Sequence, residues 1–555
     1  MGDWRKRSDA PFVTEKISAV GSRGMVVTNN PLGSAAGAEI IAGGGNAIDG
    51  AMASLFALTV VEPMMVGIFG AGMSTVRLAS GQHQFINNYT TAPAAAHETM
   101  YQPVSDSWPD YQIVAGREND IGVRATGVPG TLLGWQETLS AWGTLSLEEV
   151  MQPAIRYAER GFRATGYLCE IIHKNAQDLA RFPETARTWL PGGNPLQPGD
   201  LVVQYDYAET LKTIAAEGVG ALYGGPIGQA AVDYIQQEGG ILTLEDLTRY
   251  ATTRADVVRG TYRGFDIIGP PPPTSGGVHV IEMLNILEGF DIAGLGFGTT
   301  DGLHLLAEVL KIGFEDRRQY MGDPAFVDVP VDMLISQVHA DTWREQIDMQ
   351  RARKAQTAYI AESPATTHMA AADAAGNMIS ATHTIHAVFG CKATVPGTGM
   401  ILNNTMNIFD PHPGMANSIA PGKRVTSSMS PIIVEKDGQP VVCVGLVGGI
   451  RIFPSALQAI INVIDHEMTP QEAVEAPRIW TLGEELEVEP GFSDAVLSEL
   501  SQRGHQVSKQ PIIGAGMGMI AQAGAVLSGA SCWRADGTPI GIGGGMARAG
   551  IRFSV

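Results

Sequence analysis

Cysteine is scarce in this chain of 555 residues, and the four cysteines are far apart and show no metal-ligand spacing: Cys169, Cys391, Cys443 and Cys532. Cys443 stands in an apolar run that is typical of a protein core, and we expect no structural disulfide. His383 and His386 are three residues apart, but no carboxylate or cysteine cluster accompanies them. The sequence therefore predicts neither a metal site nor a bound cofactor.

Long hydrophobic runs are also missing. The longest candidate, Ala47 to Val61, is interrupted by polar residues and is shorter than the ~20 apolar residues that a membrane span requires. The charged segment from Met1 to Asp9 is not followed by the apolar stretch of a secretory signal. We expect no membrane partner and a cytoplasmic protein, or a periplasmic one if a signal peptide was removed.

Positive charge is in deficit, since 37 Lys and Arg stand against 57 Asp and Glu and give a net charge of −20. Such a surface repels the phosphate backbone, so nucleic acid is not an expected partner. The hydrophobic content of 45% is that of an ordinary globular protein with a large core.

What the sequence does contain is a strand–turn–strand pattern two thirds of the way along the chain. Residues 366–372 and 378–384 have the character of strands, and an Asp-Ala-Ala-Gly-Asn turn joins them. A tight hairpin centred on Ala375 places Thr366 opposite Thr384, so that two hydroxyl groups meet across the strand pair.

The pair of threonines offers a nucleophile and a partner for it. A threonine hydroxyl is a weak nucleophile and needs a base within hydrogen-bond reach. Cleavage of the chain just before Thr366 would free an α-amino group with a pKa of about 7.7–8.0, which would serve as that base while Thr384 holds the hydroxyl. Because threonine is common in strands, two ordinary strand residues are the alternative on the pair alone.

A second hairpin is predicted about the turn at Asp437. Its register places Ser427 and Ser428 at the same open end as Gly448 and Gly449. Bare backbone N–H groups of glycines bind a developing oxyanion, and each such donor is typically worth about 2.7–4 kcal/mol of barrier. A turn that needs positive φ is the alternative interpretation of the glycine pair.

Three further segments are predicted to be scaffold or connector. Ala47 to Val61 is apolar almost all round, which predicts a buried helix. Leu145 to Gly161 predicts another helix, with an interruption at Pro153. Met349 to Ala365 is polar and Ala-rich, and we interpret it as a mobile connector that moves after cleavage.

Three motifs carry a specific pattern: Thr-Thr-His-x-x-x-x-Asp-x-x-Gly-Asn-x-x-Ser-x-Thr from Thr366, Ser-Ser-Met-Ser-Pro from Ser427, and Gly-Gly-x-Arg-Ile from Gly448. This pattern resembles the γ-glutamyltranspeptidase family of N-terminal-nucleophile hydrolases. The resemblance covers almost the whole chain, from about Gly24 to about Gly537.

The resemblance implies an α+β fold, the four-layer αββα sandwich of this class. It also implies a precursor that cuts itself between Ala365 and Thr366. The resulting pieces, 1–365 and 366–555, are expected to remain together as a heterodimer that forms one globular unit.

The family's residue roles transfer to matching positions of this chain. The resemblance makes Thr366 the nucleophile and Thr384 its partner, gives the oxyanion hole to the glycine pair, and lets the serine pair grip a substrate carboxylate. His368 is expected to be a hydrogen-bonded support rather than a base. The predicted site is catalytic at Thr366, Thr384, Gly448 and Gly449 and substrate-binding at Ser427, Ser428, His386, Tyr89, Asn404, Ile408 and Arg451.

The chain departs from the family pattern at three positions that bind the substrate in the family. Tyr89 stands where the family has an arginine for the glutamyl α-carboxylate, and Ile408 stands where it has the acid that holds the α-amino group. His386 replaces a substrate-binding asparagine. Loss of a bidentate arginine and of an acid predicts an acyl group without a free α-amino group. The loop from Phe409 to Arg424 looks short for a lid and predicts an open groove.

Three functions follow from this pattern. The first is an acylase or amidohydrolase for a small-molecule amide with a non-glutamyl acyl group, either of glutaryl type or a very small acid amide. The second is an ordinary γ-glutamyl transferase or glutathione hydrolase with a rebuilt pocket. The third is a non-catalytic binding protein on the same fold, which would remain uncut at Thr366.

Overall fold

Two large β-sheets form the centre of the computed structural model, which describes residues 4–107, 109–354, 365–483 and 485–544. Most of the connector expected at 349–365 therefore lies outside the described residues. The strands are β1 (Ala19–Gly21), β2 (Gly24–Thr28), β3 (Ala71–Arg77), β4 (His83–Asn87), β5 (Phe162–Arg163), β6 (Leu201–Val202), β7 (Thr253–Ala255), β8 (Val258–Tyr262), β9 (Phe265–Gly269), β10 (Thr367–Asp373), β11 (Met378–Thr384), β12 (Ile432–Lys436), β13 (Gln439–Leu446), β14 (Ile479–Thr481), β15 (Glu485–Val488), β16 (Gln506–Lys509), β17 (Met517–Ala523), β18 (Val526–Ser531) and β19 (Thr538–Ile542).

Helices cover both outer faces of the sheets. They are α1 (Pro31–Ala42), α2 (Ala47–Val61), α3 (Thr131–Trp142), α4 (Leu147–Arg160), α5 (Gly166–Leu179), α6 (Pro183–Trp189), α7 (Tyr205–Glu217), α8 (Pro226–Gln237), α9 (Leu244–Arg249), α10 (Ser275–Leu287), α11 (Ile292–Leu295), α12 (Thr300–Tyr320), α13 (Val331–Leu334), α14 (Gln337–Arg344), α15 (Ile452–Ile464), α16 (Pro470–Glu475) and α17 (Asp494–Gln502). Within the described ranges no helix combines the length and the apolar character needed to cross a bilayer.

The strand order defines two seven-stranded sheets. Sheet A has the order β1-β18-β17-β13-β12-β9-β8, and sheet B has the order β19-β2-β10-β11-β3-β4-β7. The sheets face each other across a core of small and medium apolar side chains that includes Val27, Ala370, Met378, Ile433 and Cys443. Helices α1 and α2 pack on sheet B, and α10 and α15 pack on sheet A. The expected four-layer αββα sandwich is confirmed.

Helix α2 has the bounds that the sequence predicted. Its fifteen residues are all buried, as its apolar character requires. Asn46 caps its first turn by accepting hydrogen bonds from the N–H groups of Ile48 and Asp49, and the Asp49 carboxylate accepts the N–H of Asn46 in return. The cap fixes where α2 begins and so where its other end reaches sheet B.

The predicted interruption of α4 is wrong, because the helix continues through Pro153. Proline removes one N–H from the helix ladder, yet Pro153 is buried where α4 packs on α2 and α7. Tertiary packing therefore compensates for the missing hydrogen bond. The four cysteines are buried and free.

The predicted hairpin that starts near Thr366 is confirmed in its register. Strand β10 pairs with β11 so that Thr367 lies opposite His383, which puts Thr366 level with Thr384. The Asp373 carboxylate ties the turn together by accepting the N–H groups of Ala375 and Asn377 at 2.9 and 3.1 Å. The hairpin lies in the middle of sheet B, between β2 and β3.

Candidate active site

Three oxygen atoms meet at the peptide bond before Thr366. The Thr366 hydroxyl lies 2.7 Å from the carbonyl oxygen of Ala365, and the Thr384 hydroxyl donates to the same carbonyl oxygen at 2.7 Å. The two hydroxyl oxygens are 3.4 Å apart. All three residues are buried, so these contacts are made away from bulk water. The expected nucleophile and its partner are thus placed together on the expected scissile bond.

The segment after β11 holds Thr384 in position. The His386 backbone N–H donates to the Thr384 hydroxyl at 2.7 Å, and His386 adopts a positive φ of 77°. Its imidazole Nε2 donates to Asn407 Oδ1 at 3.0 Å. Asn404 anchors the same segment, because its side-chain oxygen accepts the N–H of Ala387 at 2.8 Å. Two of the predicted substrate-binding residues therefore lie beside the threonine pair and also orient it.

His383 and His386, which are three residues apart in the sequence, contact different groups. The His383 ring packs edge-on against Trp135, with ring centroids 5.3 Å apart, whereas His386 turns to Asn407. Burial lowers the pKa of His383 to about 3. His368 is likewise buried, its pKa is lowered to about 3 by desolvation, and its Nδ1 lies 3.0 Å from the Thr382 hydroxyl. His368 is a neutral support on the face of β10 that it shares with Thr366.

Gly448 and Gly449 follow β13 in conformations that suit glycine. Their φ values are 142° and 59°. A Cβ atom at Gly448 would stand 2.7 Å from the Cα of Gly514, so the position has no room for a side chain. Within the described residues neither glycine donates its N–H to another group. Both N–H groups are therefore open to a substrate oxygen.

The serine pair lies in a buried segment between two pieces of the first half of the chain. An antiparallel bridge joins Thr91 to Arg424, and a parallel bridge joins Thr274 to Ser427. The antiparallel register carries Tyr89 alongside the residue before Ser427. Ser427 and Ser428 are both buried at this junction. The structure thus brings the predicted carboxylate-binding serines next to the position where the family has its arginine.

Arg424 is a site residue that the sequence reasoning did not single out. Its guanidinium donates to the backbone carbonyl of Tyr89, and it also donates to the Tyr250 hydroxyl at 3.1 Å. Arg424 is buried, and among the described residues it forms no ion pair. The guanidinium therefore carries a buried positive charge, while the carboxylate of Asp323 accepts the backbone N–H of Arg424 at 2.7 Å. Its position three residues before Ser427 was the available signal.

Ile408 is 4% exposed and borders a pocket beside the site. The Asn417 side-chain amide donates to the carbonyl of Ile408 at 2.8 Å and fixes that wall. Tyr111, Gln112 and Arg318 line the same pocket. The position at which the family has an acid is therefore apolar, although the acidic side chain of Asp410 lines the same pocket together with these polar and cationic groups.

Arg451 is engaged elsewhere. Its guanidinium makes hydrogen bonds of 3.1, 2.7 and 2.8 Å with the Glu487 carboxylate and lies 4.1 Å above the Trp480 ring. This bidentate pair braces the residues that follow the glycine pair. A contact between Arg451 and substrate stays a prediction.

Two clusters of histidine and carboxylate side chains occur in the described part of the chain, and both lie on α12 and its neighbours, in the outer helix layer: His304–Glu308–His505 and Glu282–Asp316–His339. His304 and His505 are hydrogen-bonded at 2.8 Å, and His339 bonds Asp316 at 2.7 Å. These mutual bonds account for the side chains, and neither cluster includes a residue of the threonine site.

The αββα layers and a buried threonine at the head of a central hairpin define an N-terminal-nucleophile hydrolase. A sequence model described as Gamma-glutamyltranspeptidase matches residues 33–542. The chain belongs to the γ-glutamyltranspeptidase family, and it is an enzyme of the hydrolase and acyltransferase type that this family comprises.

Three comparisons relate the chain to known proteins. The chain is 56% identical over 549 residues to the Acylase ACY 1 proenzyme of Pseudomonas sp. (strain SE83), covering 98% of each chain. It is 37% identical over 514 residues to the Glutathione hydrolase proenzyme of Bacillus subtilis (strain 168), covering 89% of this chain and 86% of that one. The solved cephalosporin acylase from Bacillus halodurans superposes with a TM-score of 0.86 at 29% identity, covering 96% and 98%.

Proposed function

We propose that this enzyme is an acylase that hydrolyses amides whose acyl group ends in a carboxylate and lacks an α-amino group, as a glutaryl group does. The observation that carries the proposal is the apolar wall at Ile408, in the position of the family's ammonium-binding acid. The relative at 56% identity is named an acylase, which supports the same assignment.

The mature enzyme is made by self-cleavage in this proposal. The Thr366 oxygen attacks the carbonyl carbon of Ala365, and the Thr384 hydroxyl stabilises the negative charge that develops on the carbonyl oxygen. The C–N bond breaks, the freed α-amine takes the proton, and Ala365 is left as an ester on the threonine oxygen. Water hydrolyses this ester and releases two pieces, which stay together as a heterodimer.

Turnover repeats the same chemistry on an external amide. The new α-amine accepts the proton of the Thr366 hydroxyl as the oxygen attacks the substrate carbonyl. The N–H groups of Gly448 and Gly449 bind the resulting oxyanion. The protonated amine then gives its proton to the leaving nitrogen, and an acyl ester remains. Water activated by the same amine hydrolyses the ester and frees Thr366.

Recognition of the acyl group is divided between its two ends. The hydroxyls of Ser427 and Ser428 bind the terminal carboxylate, and the buried cation of Arg424 supplies the positive potential that position 89 lacks. Ile408 packs against the methylene carbon that would bear the α-amino group in a glutamyl chain. Ile408 offers a glutamyl ammonium no partner, and the Asp410 carboxylate of the same pocket already accepts the Tyr111 hydroxyl and the His412 N–H at 3.0 and 2.9 Å, which disfavours the glutamyl chain.

A second candidate is γ-glutamyl hydrolysis, which the likeness to the Bacillus subtilis glutathione hydrolase favours. The small acid amides considered from the sequence have no separate support in the pocket. Family membership and the assembled threonine pair exclude the non-catalytic binding protein.

The deciding experiment compares glutaryl p-nitroanilide with γ-glutamyl p-nitroanilide on the purified enzyme, after mass spectrometry has established Thr366 as a new N-terminus. The proposal expects the larger kcat/KM for the glutaryl compound. A clearly larger value for the γ-glutamyl compound would assign the second function instead. An uncut chain would overturn the self-cleavage step itself.

A further inference from the structure

Glu62 is a buried carboxyl group that the reaction described above does not use. It follows the last residue of α2, and its N–H donates to the carbonyl of Leu58 at 2.8 Å as the helix ends. Its carboxylate accepts the hydroxyl of Thr367 at 2.5 Å. Thr367 is the residue directly after the nucleophile, so a fully buried helix end is bonded to the head of β10.

The environment of Glu62 is unfavourable for a negative charge. Among the described residues no Lys, Arg or His forms an ion pair with Glu62, which is 2% exposed. The ionisable groups that face it are the carboxyl of Asp536, before β19, and the hydroxyl of Tyr167, on α5. Burial, with a smaller contribution from the Asp536 charge, raises the pKa of Glu62 to about 8, while the Thr367 hydroxyl opposes this rise.

An amide would accept the Thr367 hydroxyl equally well and would cost less to bury than a carboxyl group without a cation. The carboxyl group therefore needs a reason beyond this hydrogen bond. Self-cleavage supplies one, because it creates an α-ammonium group on Thr366, whose Cα is about 3.8 Å from that of Thr367. The new cation appears close to a buried acid that forms no ion pair with any described residue.

We propose that Glu62 is a positioning residue for the Thr366 nucleophile: it orients the head of β10 through Thr367, and its ionisation sets the charge beside the new α-amino group. The inference rests on the proposed function, since it needs a free amine at Thr366. The ordinary pKa of an α-amino group is about 7.7–8.0, close to the pKa of Glu62, so the two groups titrate as a coupled pair. An ionised Glu62 holds the proton on the amine and keeps the base inactive to a higher pH.

The test is the pH dependence of kcat/KM for the cleaved enzyme between pH 6 and 10. Glu62→Gln keeps the shape and the acceptor but removes the charge. Its acid limb is expected to move to lower pH by about 0.5–1 unit, the effect of a unit charge within about 10 Å at high effective dielectric. Thr367→Val removes the hydroxyl that orients the head of β10 and should lower kcat several-fold, and Thr367→Ser should restore kcat.

The outcomes separate this inference from the proposed function. Wild-type protein that neither cuts itself nor hydrolyses either anilide would defeat the proposed function. Active wild-type enzyme with an unmoved acid limb in Glu62→Gln would overturn the inference alone. Thermal melting of each cleaved variant checks folding. Should Glu62→Gln not fold, Glu62→Asp retains the charge with a shorter reach, and it must lower kcat while leaving the acid limb near its wild-type position.

Discussion

The hydroxyl of Thr384 donates to the carbonyl oxygen of Ala365 at 2.7 Å while lying 3.4 Å from the hydroxyl of Thr366. In the proposed self-cleavage, one side chain therefore contacts both the bond to be cut and the atom that cuts it. Before cleavage it polarises a peptide carbonyl, and once Ala365 has left, the same hydroxyl is available to orient the free nucleophile. The His386 N–H donates to this hydroxyl at 2.7 Å and so fixes its position.

Removal of the Thr384 hydroxyl is predicted to slow self-cleavage. Thr384→Val keeps the size of the side chain but leaves the developing oxyanion without its donor. The rate is expected to fall by about 10²- to 10³-fold, the usual cost of losing one such donor. Intact-mass measurements over time after purification would show the precursor persisting. Thr384→Ser, which keeps the donor, should cleave near the wild-type rate, and rapid cleavage of the valine variant would contradict the assignment.

The acyl preference is predicted to depend on Ile408. Ile408→Asp restores a partner for an α-ammonium group, and a charge-assisted hydrogen bond contributes about 1.5–3 kcal/mol. The ratio of kcat/KM for γ-glutamyl over glutaryl p-nitroanilide should therefore rise by about 10- to 100-fold. Ile408→Leu, which stays apolar, is the matched control and should leave the ratio unchanged. Equal ratios in the two variants would show that this wall does not face the acyl chain.

The glycine pair is predicted to act in catalysis rather than as a turn. A Cβ atom at Gly448 would meet Gly514, so Gly448→Ala must displace the N–H groups of the oxyanion hole. We expect kcat to fall by about 10²-fold or more. Gly524, with a φ of 60° in the open turn between β17 and β18, provides a control. Gly524→Ala introduces similar backbone strain and should keep full kcat, as steady-state kinetics of both variants would show.

Acid is predicted to destabilise the protein through its buried histidines. Burial lowers the pKa of His279, His368 and His383 to about 3. The unfolded chain takes up protons near pH 6.5 whereas the folded state does not, so stability is complete above that pH and falls as the pH drops toward 3. Each histidine contributes up to about 1.4 kcal/mol per pH unit. Melting temperatures measured between pH 8 and 4 should fall, and less steeply in His368→Asn. Equal slopes would argue against a neutral buried His368.

Local patterns determined which parts of this structure were predictable. The bounds of α2 follow from a continuous apolar segment preceded by an Asn cap, and the register of β10 with β11 follows from one turn centred on Ala375. Both depend on residues close in sequence. The interruption expected at Pro153 was wrong, because burial against other helices overrides local propensity.

Contacts between distant segments were beyond the sequence. Glu62 and Thr367 are 305 residues apart, and Arg424 and Tyr89 are 335 residues apart. No periodicity or spacing in the sequence predicts either contact, since each depends on how the strands are ordered in the folded sheets. For Arg451 the sequence motif identified the residue as part of the site. The motif did not predict that its guanidinium pairs with Glu487.

The strand order has a consequence for how the two proposed pieces fold and stay together. In sheet B strand β10 lies between β2, from before the proposed cut, and β11, from after it, and in sheet A the four strands from after the cut are flanked by β1 on one side and by β9 and β8 on the other. Neither piece therefore contains all the strands of either sheet. The cleaved enzyme should show two polypeptides on a denaturing gel but a single cooperative transition in thermal melting. Each piece made alone should be insoluble. A split version of this enzyme divided at position 366 would need its halves to be folded together first.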